Sequence, residues 1–167
     1  AYYGEAVRWA AALGIVTGYS DGCFGPGYPI TRQQMAVMLY RFARALGMET
    51  AQSGADARGF DDFEQVSAYA EEAIAWAANA TILRGADNRL MPQAPCTRAQ
   101  MVTFLWRAAG CPTPASSICA FTDLDSSAYY YTAVLWAVGE GVTNGTTATT
   151  FSPDAVVTRS QTVAFLW

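Results

Sequence analysis

The sequence predicts an all-α protein built from three copies of one helix–loop–helix unit, and three recurrences carry that prediction. Ala6-Val7-Arg8-Trp9-Ala10 returns as Ala73-Ile74-Ala75-Trp76-Ala77 and as Ala133-Val134-Leu135-Trp136-Ala137. A glycine stands nine residues after each tryptophan, at Gly18, Gly85 and Gly145. A Thr-Arg-x-Gln segment begins five residues after Pro26, Pro92 and Pro153, at Thr31, Thr97 and Thr158. The tryptophans at 9, 76 and 136 set a period of 67 and then 60 residues, which is the signature of a repeat architecture.

Each unit opens with a helix. Ala6, Trp9, Ala10 and Leu13 fall at the 3, 4 and 7 spacing of one buried helical face, and Ile74, Ala77, Ala78 and Val134, Ala137, Val138 repeat it. The helix stops at Gly14-Ile15, Thr81-Ile82 or Gly141-Val142, and a loop follows that contains Phe24-Gly25-Pro26, Leu90-Met91-Pro92 or Phe151-Ser152-Pro153. The second helix starts with a capping box, because Thr31, Thr97 and Thr158 stand three residues before Gln34, Gln100 and Gln161. Its apolar stripe is Met35, Met38, Leu39 and Phe42, matched by Met101, Phe104, Leu105 and by Thr162, Phe165, Leu166. These elements divide the chain into repeats at 1–47, 60–110 and 121–167, with Gly-, Ser-, Pro- and Ala-rich linkers at 48–59 and 111–120. Phe60-Asp61-Asp62 and Phe121-Thr122-Asp123 open the second and third units. The first lacks that opening, and the third stops inside the apolar run Phe165-Leu166-Trp167, so the chain reads as an N- and C-terminally trimmed part of something longer.

Composition narrows the function. With 167 residues, 52% hydrophobic and 14% charged, the chain can bury a substantial core and is expected to be monomeric. No apolar stretch approaches the roughly 20 residues of a membrane span. A net charge of -4 gives no general attraction for nucleic acid or an anionic membrane surface, so any anion site must be local. All ten basic residues are arginine, which suits planar, paired recognition of a carboxylate or phosphate. There is no histidine, and Cys23, Cys96, Cys111 and Cys119 form no C-x-x-C pair, so neither a zinc site nor any other metal or cofactor is expected. Cys111 and Cys119 flank a Pro-Ser segment and could close a short loop.

The order Phe-x-Asp, Ala-Ile/Val-x-Trp-Ala, Gly-Ile-x-x-Gly, Phe-x-Pro, Thr-Arg-x-Gln resembles the S-layer homology repeat of bacterial surface proteins, three times in register over nearly the whole chain. The resemblance implies a pseudo-threefold, three-pronged helical assembly around a central three-helix bundle. It also implies an extracellular module at the bacterial cell wall, with secondary cell-wall polysaccharide, often pyruvylated, held in grooves between repeats. The family's characteristic Ile-Thr-Arg-Ala-Glu segment, whose arginine is implicated in ligand binding, stands here as Ile30-Thr31-Arg32-Gln33-Gln34, Cys96-Thr97-Arg98-Ala99-Gln100 and Val157-Thr158-Arg159-Ser160-Gln161. Each arginine is kept, while each glutamate is replaced by glutamine, which preserves the capping geometry and removes a negative charge.

Arg32, Arg98 and Arg159 are therefore the leading ligand candidates. They sit at helix N-termini, where unpaired amides and the helix dipole favour an anion, and a guanidinium there suits a sugar carboxylate or pyruvate ketal. The competing reading has each arginine bonding a neighbouring carbonyl, Asp62 or Asp123 to lock the repeats together. Trp9, Trp76 and Trp136 offer faces for sugar stacking, but their helical spacing assigns them to the core. Tyr2, Tyr69 and Tyr129, placed at the start of the first helices, are the better candidates for a groove edge. Tyr19 and Asp21 have no counterpart in the other units, so any contact they make with ligand renders the grooves unequal. Asp62 and Asp123 are assigned to helix capping or inter-repeat hydrogen bonds, since no calcium-loop spacing surrounds them. A glycan-binding anchor predicts polar grooves; a protein–protein module of a surface-layer assembly predicts a contiguous apolar patch. The confinement of apolar residues mostly to single helical faces favours the anchor. Without histidine, a nucleophile setting or a phosphate-binding glycine loop, no catalytic residue is assigned.

Overall fold

The computed structural model describes residues 3–50 and 57–167. Among these residues six α-helices carry the fold: α1 (Gly4–Ala12), α2 (Arg32–Ala45), α3 (Glu71–Asn79), α4 (Arg98–Ala108), α5 (Tyr131–Gly139) and α6 (Arg159–Leu166). Three short 3-10 turns, at Ala57–Gly59, Phe63–Gln65 and Ala68–Ala70, precede α3. No strand forms among the described residues.

The same local chemistry bounds the helices in all three units. The odd-numbered helices end in a residue of left-handed conformation, Gly14, Thr81 or Gly141. Its amide bonds back to Ala11, Ala78 or Val138, while the amides of Ile15, Ile82 and Val142 reach Ala10, Ala77 and Ala137 at 2.8 Å. That paired arrangement satisfies the last carbonyls and seats Ile15 and Ile82 in the core. Leu13 falls beyond the end of α1 and is 47% exposed, so it lies off the buried face that spacing assigned to it. The even-numbered helices begin at capping boxes: Thr31, Thr97 and Thr158 accept from Gln34, Gln100 and Gln161 amides, and each Gln side chain accepts from the Thr amide.

The repeats are joined in a cycle. Each even helix packs on the odd helix of the following unit: α2 on α3, α4 on α5, α6 on α1. Gln33 locks the first pair, donating to Ser67 Oγ and accepting from the Ser67 amide. At the hub, Ile30 donates its amide to Val157, Val157 to Cys96, and Cys96 back to Ile30, at 3.0, 2.9 and 2.8 Å, closing a ring of three backbone hydrogen bonds with all three side chains fully buried. The even helices are enclosed accordingly. In α2 every residue from Met35 to Tyr40 is buried, and in α4 every residue from Met101 to Leu105, so the single apolar stripe expected of them widens to the whole circumference.

Asp62 and Asp123 hold the loops. Asp62 accepts from the amides of Leu90 and Met91 at 2.7 and 2.8 Å, and Asp123 from those of Phe151 and Ser152 at 2.9 and 2.7 Å. These bonds lie within one repeat and cap no helix, which corrects both assignments made from sequence. Burial pushes the Asp62 carboxyl up, but the two amides and the Arg89 guanidinium, 3.7 Å away, outweigh it and hold the group below the ordinary carboxylate range. All four cysteines are free thiols, so the Cys111–Cys119 loop is not closed by a disulfide.

Candidate functional site

Arg32, Arg98 and Arg159 each open an even helix and each reach into the loop of the next repeat. The Nε of Arg32 donates to Leu90 O, that of Arg98 to Phe151 O and that of Arg159 to Phe24 O, all at 2.8 Å. Their side chains lie over aromatic rings: Arg32 over Phe104 at 5.5 Å, Arg98 over Phe151 at 4.8 Å, and Arg159 over both Tyr19 and Phe24 at 4.8 Å. All three residues are buried, at 5–7% exposure. Desolvation lowers the proton affinity of Arg32, against the opposing pull of Cys96, Tyr129 and Asp62.

The helix N-termini themselves are not open to an anion. The first two amides of α2 donate to Ala94 and Pro92 carbonyls, those of α4 to Ala155 and Pro153, and those of α6 to Tyr28 and Pro26. The third is taken by the capping threonine, so the unpaired amides expected from sequence are occupied by the neighbouring loop. Whatever affinity for anions exists here rests with the guanidiniums.

Around each arginine lies a groove assembled on one plan. The first groove takes Arg159 from the third repeat, Thr17-Gly18-Tyr19 and Gln34, Val37, Met38 and Arg41 from the first, and Tyr69 from the second. The second takes Arg32 from the first repeat, Arg84-Gly85-Ala86 and Gln100, Thr103, Phe104 and Arg107 from the second, and Tyr129 from the third. The third takes Arg98 from the second repeat, with Asn144-Gly145-Thr146, Gln161, Ala164 and Phe165 from the third. Tyr2, the remaining tyrosine of the set, lies outside the described residues.

Tyr69 and Tyr129 are 58% and 60% exposed and stand in the turns before α3 and α5, two residues ahead of the helices that spacing had them begin. Burial raises the pKa of the Tyr129 phenol, with Arg32 opposing. Tyr19 faces the first groove and narrows it: its ring lies against Tyr28 at 5.7 Å and covers Arg159. The grooves measure about 190, 360 and 450 Å³ in order, and Ala86 and Thr146 stand where Tyr19 does. Asp21 does not line the groove; its carboxylate accepts from the Cys23 amide at 2.8 Å and ties the loop. The tryptophans stay off all three grooves.

Arg41, Arg84 and Arg107 were not singled out from sequence. Arg41 and Arg107 stand nine residues after Arg32 and Arg98, a recurrence that was there to be read, whereas Arg84 has Thr17 and Asn144 as its equivalents and leaves no such signal. Sequence also gave no hint of an apolar hollow of about 310 Å³ between the C-terminal ends of α2, α4 and α6, lined by residues such as Leu46, Met48, Trp136 and Leu166.

A closed set of three repeats with an arginine-floored groove at each junction defines a repeat-built helical module. The family model of the S-layer homology domain matches residues 1–36, 59–102 and 120–163, and the chain belongs to that family. It is 31% identical over 113 residues to the surface-layer 125 kDa protein of Lysinibacillus sphaericus, covering 67% of this chain and 9% of that protein. It is 32% identical over 110 residues to an endoglucanase of Bacillus sp. (strain KSM-635), covering 63% of this chain and 12% of the enzyme. An S-layer protein of Bacillus thuringiensis subsp. finitimus is 25% identical over 167 residues, covering 97% of this chain and 19% of that protein. The chain thus spans a fifth or less of each relative. Family and relatives make it a cell-surface anchoring module of the S-layer kind.

Proposed function

We propose that the inter-repeat grooves bind cell-wall polysaccharide through its acidic substituents, a pyruvate ketal being the fitting one, and that binding involves no catalysis. The observation that supports this is the recurrence of one recognition set. An arginine fixed through Nε to a loop carbonyl lines each groove beside a glutamine, and in the first and second grooves an exposed tyrosine stands at the edge. Fixing Nε removes most of the side-chain entropy that anion capture would otherwise cost, and the low-dielectric setting strengthens a charge-assisted pair. Tyr69 and Tyr129 offer a ring face for the sugar and a hydroxyl for its polar rim.

Calorimetric titration with native wall polysaccharide, and with material stripped of acid-labile pyruvate, tests the reading on the folded protein and its Arg32→Ala, Arg98→Ala and Arg159→Ala variants. Saturable binding that falls at least tenfold on removing pyruvate or one of the arginines supports it; equal binding to both materials, or none, overturns it. A second reading, a protein–protein contact in a surface-layer assembly, is favoured by the apolar hollow between α2, α4 and α6. Concentration-dependent association that persists in Arg variants would bring it forward.

A further inference from the structure

The three grooves share a plan but not a charge. Only one guanidinium, that of Arg98, lines the third groove, and two, those of Arg159 and Arg41, line the first, where Tyr19 covers Arg159. In the second, Arg32, Arg84 and Arg107 line one cavity of about 360 Å³, with Ala86 leaving it open where Tyr19 narrows the first. Among the described residues none of these three arginines has a carboxylate within 4.0 Å, although the chain as a whole carries a charge of -4.

Their existing bonds are few. Arg84 gives Nε to Thr81 O at 3.2 Å, Arg107 gives Nη1 to Ile82 O at 3.0 Å, and Arg32 gives Nε to Leu90 O. The Nε of Arg107 is buried and has no hydrogen-bond partner, a cost that a native structure normally avoids. Burial, and next the positive charge of Arg84, lower the proton affinity of Arg107, so the two guanidiniums repel across a partly desolvated space. An anion entering the groove relieves that repulsion, and an anion with two negative groups relieves it on more than one guanidinium. A cavity of this size falls in the range of small-ligand sites, roughly 300–1,000 Å³, whereas the first groove falls below it.

We propose that the second groove is a subsite for a saccharide unit carrying two anionic groups, with Arg84 and Arg107 as binding residues beside Arg32. It rests on the reading of the grooves as glycan sites and assigns the doubly charged unit to one of them. The two groups are met in different ways: Arg32 at the floor takes one, and Arg84 and Arg107, from the loop and helix of the second repeat, take the other.

The test is calorimetry with three synthetic methyl glycosides: a neutral one, one with a single pyruvate ketal, and one with the ketal and a phosphate monoester. The expected result is that the doubly substituted glycoside binds at least tenfold tighter than the ketal alone. Arg84→Gln and Arg107→Gln should each abolish that advantage, Arg8→Gln, at an exposed position outside all three grooves, should leave it intact, and the advantage should shrink steeply with salt. Arg84 is exposed, so Arg84→Gln is the variant in which folding is least disturbed; thermal melting checks both. Equal affinity for the two charged glycosides, or an advantage untouched by Arg84→Gln, overturns the subsite while the ketal-dependent binding of the parent reading stands. Absence of binding to either glycoside and to native wall polysaccharide removes both.

Discussion

Arg159 donates from Nε to the carbonyl oxygen of Phe24, 135 residues earlier in the chain, at 2.8 Å, and a second bond runs from its Nη2 to Thr17 O at 2.9 Å. The residue that floors a groove is therefore also the clasp between the last repeat and the first. Arg159→Ala is expected to weaken glycan binding and to destabilise the fold, by about 1.5–3 kcal/mol for each charge-assisted bond lost. Arg159→Lys keeps the charge but cannot reproduce the two directed bonds, so it should recover little of the stability. Urea unfolding of the wild type and both variants checks this; unchanged midpoints would show that the clasp is dispensable.

The carboxylates of Asp62 and Asp123 give stability a pH dependence with a defined sign. Burial acts to raise both, but the amides of Leu90 and Met91, or of Phe151 and Ser152, dominate and lower the folded-state pKa. A group depressed on folding contributes stability above its unfolded pKa of about 3.9 and loses it as pH falls through the folded value. The urea midpoint should hold from neutrality to about pH 5 and then drop towards pH 2. Asp62→Asn should flatten that drop more than Asp123→Asn, because Asp62 is 1% exposed and Asp123 is exposed.

Gly85 forms part of the second groove, at φ +68°. A Cβ there would lie 2.7 Å from Arg89 O and 2.8 Å from a Phe60 ring carbon, so Gly85→Ala adds a clash to the strain of a left-handed L-residue. A loss of at least about 1–3 kcal/mol is expected by chemical denaturation. Gly27→Ala, where a Cβ meets nothing within 4 Å, is the matched control and should change little.

Cys96 is fully buried at the hub, and burial, partly opposed by Arg32, pushes its thiol up to about 12. It should resist a thiol-specific disulfide reagent in the folded protein, while the exposed Cys23 and Cys111 react at once. Under denaturant all four thiols should titrate. Rapid labelling of all four without denaturant would show that the hub opens readily.

Tyr19→Ala should uncover Arg159 and bring the first groove nearer the open form of the second. On the glycan reading, it gains a binding event, measurable as raised calorimetric stoichiometry for a singly charged ketal glycoside. An unchanged stoichiometry would mean that Tyr19 is not what limits that groove.

The helices were legible in the sequence because their signals are local: spacing of Ala and Trp, the Gly14-Ile15 and Gly141-Val142 pairs that follow, and the Thr-x-x-Gln pairs at each start. Thr81 shows the same stop at a position where residue type alone argues against a positive φ; only its register with Gly14 and Gly141 betrays it. The groove was less legible because its parts come from three different repeats. Nothing in the spacing around Arg159 says that it faces Thr17, and nothing in the run Thr31-Arg32-Gln33 says that its amides will meet Ala94 and Pro92 instead of a ligand. Such pairings follow from how the repeats close, which is a property of the packed set.

The bonds joining Ile30, Val157 and Cys96 count to three and stop. In an open solenoid each repeat contacts only its neighbours, and a terminal repeat leaves a face that must be capped. Here each of these amides and carbonyls is already spent on a neighbour, and a fourth unit would find no vacancy at the hub. A further unit would therefore have to close a hub of its own with other copies, and could not extend this one.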